Sequence, residues 1–136
     1  MEMYHGTKAN AANSIQGPPT NVDVNRGGGE MGQGFYVGDN LTLAISWAKG
    51  RYRQPAVIEI QIDKRQYATL SFHRLSHMQV LNTWHQLRRL GTHRTHQFGY
   101  DIVFGPLATV PYSAQYKFES NDAQTLLNNS TTNRIL

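Results

Sequence analysis

No cysteine occurs among the 136 residues, which excludes disulfides and thiolate metal centres. The redox compartment stays open, because secreted chains can also lack cysteine. No apolar run approaches the length of a membrane span, and the polar stretch from Met1 to Asn13 lacks the apolar core of a secretory signal. No membrane partner is expected, and entry into another cell would need a carrier. Acidic residues are few: nine Asp and Glu stand against thirteen Lys and Arg, for a net charge of +4 and a pI near 9.6. That balance suits a phosphate-bearing or polyanionic partner, and it also suits many ordinary domains. With no internal repeat and no linker, residues 1–136 are expected to form one domain with a core of its own.

What the chain does have is glycine, concentrated in Gly27-Gly28-Gly29-Glu30-Met31-Gly32-Gln33-Gly34-Phe35-Tyr36-Val37. A backbone this bare suits a loop that approaches a ligand closely or adopts positive φ. Phe35-Tyr36-Val37 reads as a short strand. Asp39 or Asn40 can cap the helix that follows, where Leu41, Ala44, Ile45 and Ala48 keep helical spacing and Gly50 is placed to end it. Tyr36 and Trp47, eleven positions apart, can then bring two rings to one cleft; a Gly-rich surface turn with two core aromatics is the plainer alternative.

Elsewhere the signals are mostly short. Tyr4-His5-Gly6 ends a first strand, Thr7 is placed to cap a helix from Lys8 to about Gln16, and Gly17-Pro18-Pro19 stops it. Asn21 to Glu30 reads as a long loop. Ala56 to Asp63 alternates as a half-buried strand, and Tyr67 to Phe72 as a further short one. From His73 to Leu90 the pattern is amphipathic and helical, closed by Gly91 and followed by a basic loop through His96. His73, His77, His85, His93 and His96 lack the acidic partners and tight spacing of a zinc signature, so no metal is expected. Tyr100 to Ala108 and Ala114 to Glu119 read as strands, Ser120 caps a last helix, and 128–136 reads as a polar tail. The tally favours an α+β domain built on antiparallel sheet.

Taken in order, three segments resemble the diphtheria-toxin-like branch of the ADP-ribosyltransferases. Tyr4-His5-Gly6-Thr7 is similar to the first-strand His-Gly motif. Gly34-Phe35-Tyr36-Val37 with its helix is similar to the Gly-x-Tyr strand, Trp47 standing where a second Tyr is usual. Tyr100 to Ala108 and Gln115-Tyr116-Lys117-Phe118 resemble the closing strands of a small bacterial toxin and effector subfamily. The resemblance implies a core of two packed, mainly antiparallel sheets with flanking helices and an NAD⁺ cleft.

It also implies roles. Tyr36 and Trp47 would sandwich the nicotinamide, Gly6 would offer backbone groups to its carboxamide, and Gly34 and Phe35 would line the same site. His5 would bond the adenosine-side ribose hydroxyl, and Thr7 the neighbouring sugar or phosphate. The family's closing-strand Glu, which holds the nicotinamide-ribose 2′-OH and stabilises an oxocarbenium-like transition state, is Gln115 here. Gln115 can accept a hydrogen bond but brings no charge, so Glu30 from the Gly-rich loop is a second candidate. Glu119 lies roughly 13 Å along the strand and is too far.

The implied activity is a mono-ADP-ribosyltransferase, a bacterial toxin or effector that releases nicotinamide from its co-substrate NAD⁺ and modifies a macromolecular acceptor in the bacterial cytoplasm. The acceptor would be a protein or RNA, which the basic residues Arg88, Arg89 and Arg94 could dock, and a neutralising immunity or antitoxin protein would be a further partner. NAD⁺ glycohydrolysis, and a non-catalytic module binding NAD, ADP-ribose or RNA, are the alternatives.

Overall fold

The structure, a computed structural model, describes residues 1–129 and 131–136. Strand β1 (Glu2–Lys8) runs straight into α1 (Ala9–Gln16), which buries Ala12 and Ile15. Thr7 does not cap that helix. It is still in the ladder, opposite Ala56, and Lys8 holds the cap position without a side-chain bond. At Gly17, φ is 70° and the N–H reaches the Asn13 carbonyl at 3.2 Å, so the helix ends where a residue without Cβ permits it.

After the long loop come β2 (Phe35–Gly38) and α2 (Leu41–Arg51). Asn40 is the cap, its Oδ1 accepting from the Leu43 N–H at 3.1 Å. Helix α2 passes through Gly50 instead of stopping there and ends at Arg51. Strand β3 (Pro55–Ile62) is followed by α3 (Lys64–Tyr67), started by Asp63, and only then by β4 (Phe72–Arg74). The strand expected over Tyr67 to Phe72 is thus a helix end and a strand start. His73 and Arg74 belong to β4, and α4 (His77–Leu90) begins later, with a Ser76/Gln79 capping box and Gly91 at φ 68° closing it.

Strands β5 (Ile102–Pro106) and β6 (Ala114–Phe118) precede α5 (Asn121–Asn129), where Ser120 Oγ accepts from the Ala123 N–H at 3.0 Å. The expected polar tail is corrected by β7 (Thr131–Ile135), which pairs antiparallel with β3 from Ile62↔Thr131 to Ile58↔Ile135. Its Thr131, Asn133 and Ile135 are half-buried while Thr132 and Arg134 face out. Ser130 of that expected tail lies outside the described residues.

Among the described residues the fold is α+β, with five helices on a mixed seven-stranded sheet of order β4-β5-β6-β2-β1-β3-β7, in which only β4 and β5 run parallel. Where two packed sheets were expected, the hydrogen-bonded order is continuous. Its thinnest point is β1 against β2, joined through the single register pair Tyr4↔Gly38.

Register also fixes the faces. Gly105, Gln115, Gly38, Tyr4, Glu59 and Arg134 are successive neighbours across six strands, so they share one face. Gly6, Tyr36, Lys117 and Val103 lie two positions along on that same face. Met3, Phe35, Val37, Ile58, Ile60, Ile102 and Phe118 form the opposite face and pack with Ala12 and Ile15 of α1 and Leu126 and Leu127 of α5. A second cluster of Met31, Leu75, Val80, Val103 and Ala108 brings α4 onto the Gln115 face, with Tyr36 against it.

Candidate active site

Past Tyr4↔Gly38, toward Gly6 and Tyr36, β1 and β2 share no further register pair. A side chain spans the opening. His5 Nδ1 lies 2.6 Å from the Tyr36 carbonyl oxygen, and its ring stacks on Phe35 at 4.2 Å. A carbonyl only accepts, so Nδ1 carries the proton and Nε2 presents a lone pair. Burial drives the imidazole pKa down to about 4, against the bond to the Tyr36 carbonyl, which favours protonation. At neutral pH His5 is an uncharged acceptor, suited to a hydroxyl donor.

Tyr36 uses its phenol inside the protein. The hydroxyl donates to the Gly32 carbonyl at 2.6 Å and accepts from the Met31 N–H at 3.0 Å. Burial holds the phenol well above its ordinary range, so it stays protonated at neutral pH. Its ring lies against Gly29, where a Cβ would stand 3.0 Å from Cζ. Tyr36 therefore shapes the Gly-rich loop as well as offering a ring.

That loop carries Glu30 to Gln115. Gln115 Nε2 donates to Glu30 Oε1 at 2.7 Å and to the Pro106 carbonyl at 3.2 Å, and the Ala108 N–H donates to the same Oε1 at 2.9 Å. Both partners of the amide are pure acceptors, which fixes its orientation. Gln115 is 6 % exposed. Beside it, Gly38 leaves room, since a Cβ there would meet nothing closer than 3.6 Å. The two residues that the sequence offers as alternatives for one role are therefore a single hydrogen-bonded unit. Among the described residues, Glu30 Oε2 receives no hydrogen bond.

Gly6 is buried under α2: a Cβ would stand 2.5 Å from the Ala44 carbonyl oxygen and 3.3 Å from Ala48 Cβ. Helix packing alone thus requires a glycine there. Thr7 is also buried, on the His5 side of β1. Trp47 is 45 % exposed, with the Arg51 guanidinium 4.5 Å above its ring and Tyr52 at its edge. The rings of Tyr36 and Trp47 are not in contact among the described residues. Arg88, Arg89 and Arg94 are exposed, and Arg88 lies 5.5 Å over Trp84.

Sequence reasoning missed Lys117. Named there only within the closing-strand resemblance, it is fully buried, its ammonium 2.7 Å from the Met31 carbonyl, 2.5 Å from Glu119 Oε2 and 5.2 Å over Phe98. Glu119 Oε1 also accepts from the Gly99 N–H at 2.6 Å. Burial lowers the Lys117 pKa while Glu119 raises it, and burial dominates. Gly34 is bare because the Lys117 stem fills the space a Cβ would take. The only sequence signal is the opposite charge two positions away on the same face.

Two concavities lie away from these residues: one of about 320 Å³ beside Gln66, Leu70, Asp101 and Asp122, and one of about 430 Å³ around Gly17 to Asn21. No group of three or more His, Asp or Glu side chains is gathered for a metal among the described residues. Compared with family models and with curated proteins, the sequence matches none.

Proposed function

We propose that this chain is a mono-ADP-ribosyltransferase that takes NAD⁺ and modifies a macromolecular acceptor, acting as a toxin or effector in the bacterial cytoplasm. The observation that carries the reading is the Glu30–Gln115 unit on the same sheet face as Gly6 and Tyr36, beside the point where β1 and β2 part. That thin seam supports a two-sheet reading with an NAD⁺ cleft between the halves. In this reading Gln115 does not replace the missing carboxylate; it holds one.

The chemistry follows from those positions. As the bond from ribose C1′ to the nicotinamide nitrogen breaks, its electron pair leaves with nicotinamide and C1′ becomes cationic. Glu30 Oε2 accepts the ribose 2′-OH and its charge stabilises that cation. Tyr36 and Trp47 flank the ring, Gly6 offers backbone groups to the carboxamide, and neutral His5 accepts from the adenosine-side ribose through Nε2. An acceptor nucleophile then bonds C1′ and releases a proton.

The test uses labelled NAD⁺ and a bacterial lysate separated into protein, RNA and DNA fractions. Covalent label in one fraction, falling roughly 10²–10³-fold in Glu30→Gln, is the expected result, that being the scale of losing one electrostatic stabiliser. Gln115→Glu should retain activity less well than the wild type, because two carboxylates would then repel. An active Glu30→Gln overturns the assignment of the carboxylate. Released nicotinamide without label points to glycohydrolysis, and neither product from folded protein overturns the NAD⁺ reading.

A further inference from the structure

From Lys64 to Tyr100 the sequence contains no Asp or Glu, yet it holds six of the thirteen Lys and Arg and five of the six His. This acid-free stretch folds into α3, β4, α4 and the loop after Gly91. Nothing within it offsets its charge. The three ion pairs among the described residues use Arg26, Lys117 and Arg134, so Arg74, Arg88, Arg89 and Arg94 stand exposed without a carboxylate partner.

The outward face of α4 runs Asn82, His85, Gln86 and Arg89, all exposed, with Met78 and Leu90 as its only large exposed apolar residues, one near each end. Protein interfaces concentrate apolar and aromatic area at their centre; this face has amides, imidazole and guanidinium there. Aromatic rings border it instead. Arg88 lies over Trp84, His93 meets the Trp84 edge at 6.2 Å, and the half-exposed Tyr100 stacks on His73 at 4.6 Å. Cations interleaved with ring faces match a flexible polyanion that carries its own flat bases.

The face is also fastened to the Glu30 loop at both ends of α4. At the start, His77 Nε2 meets the Ala108 carbonyl at 2.9 Å, and the Ala108 N–H holds Glu30. At the end, the Gln33 N–H reaches the His96 carbonyl at 2.8 Å, Gln33 Nε2 donates to the Arg94 carbonyl at 2.8 Å, and Gln97 Nε2 donates to Gln33 Oε1 at 2.9 Å. Gly28 packs so closely on Arg94 that a Cβ would meet its Cγ at 2.8 Å.

We infer that α4 and the 92–97 loop form a docking surface for single-stranded RNA, leading the strand toward Glu30. The inference rests on the proposed NAD⁺ chemistry only for what happens after docking. Arg88, Arg89 and Arg94 contact phosphates, the bordering rings stack bases, and the Asn82 and Gln86 amides reach 2′-hydroxyls.

The test is fluorescence anisotropy with a labelled mixed-sequence RNA 12-mer, without NAD⁺, over a salt series. With three phosphates neutralised, log K should fall against log salt with a slope of about −2. Arg88→Gln/Arg89→Gln/Arg94→Gln should weaken binding at least tenfold and flatten the slope, whereas Lys8→Gln/Lys49→Gln/Arg53→Gln, equal in charge lost but distant, should leave both unchanged. Arg89→Gln alone, at a fully surface position, should reduce the slope by about 0.7 and guards against misfolding of the triple variant. Equal loss in the two triple variants, equal affinity for DNA of the same sequence, or equal affinity for poly-glutamate each overturns the docking surface. Because no NAD⁺ is present, those results leave the transferase reading intact; binding without nicotinamide release or label overturns the transferase reading and leaves the surface.

Discussion

Changing Lys117 to Met removes a charge that has no exposed surface and leaves Glu119 buried with the Gly99 N–H as its remaining partner. Changing Glu119 to Gln does the converse: the ammonium keeps the Met31 carbonyl and the Phe98 face but loses its counterion. Breaking one side of a buried pair costs about 3–5 kcal/mol, a large share of the roughly 5–15 kcal/mol that holds a domain folded. Removing both sides is a different event. In the double variant no uncompensated charge remains, Gln still accepts from Gly99, and the deficit is the lost bond to the Met31 carbonyl, about 1–3 kcal/mol. The double variant should therefore be more stable than either single one, with a coupling of about 3 kcal/mol or more. Urea unfolding followed by the fluorescence of Trp47 and Trp84 measures all four proteins. If the two single losses simply add in the double variant, within about 0.5 kcal/mol, the pair is not coupled and its burial has been misjudged.

Two further outcomes follow from β1. The unfolded-state His5 takes up a proton near pH 6.5 and the folded one only near 4, so between those values the unfolded chain binds more protons and stability falls as pH is lowered. The displacement corresponds to roughly 3 kcal/mol. His5→Gln, which keeps a donor for the Tyr36 carbonyl but does not titrate, should lack that part of the pH dependence in urea midpoints measured from pH 7 to 4, and identical profiles would refute it. Gly6→Ala forces a Cβ to within 2.5 Å of the Ala44 carbonyl oxygen; about 1–3 kcal/mol should be lost, and an unchanged midpoint would mean that α2 does not press on β1 there.

Features with local causes were legible in the sequence. Asn40, Ser120 and Gly91 act on their own helices through bonds a few residues long, so the ends of α2, α4 and α5 that they set could be read directly. Thr7 had the right chemistry for a cap, but pairing opposite Ala56 extended β1 past it. The segment from Thr131 to Ile135 has the composition of a solvated tail; what makes it a strand is the open edge of β3, far away in sequence and apolar on one face. Glu30 and Gln115 were each visible as candidates. Their union was not, because 85 positions separate them and only the fold brings the Gly-rich loop to Gln115. Lys117 could be seen only as one more charge, since nothing in its neighbourhood announces that both faces of β6 are covered.

The long loop before β2 has no helix or strand, but it is far from loose. Val22, Val24 and Met31 are buried, and its backbone is tied by Asn128 and Gln124 of α5, by Lys117 and by the Tyr36 hydroxyl. Fixing a residue's backbone costs on the order of 1–2 kcal/mol in entropy, and here that loss is taken during folding, before any ligand arrives. On the proposed reading, a guest at Glu30 would meet a loop already ordered by these bonds, so its affinity would not be diminished by the work of ordering it. The same reasoning gives α5 a remote influence on that reading: loosening Asn128 or Gln124 would transfer the ordering cost to the moment of binding and weaken a ligand held at Glu30.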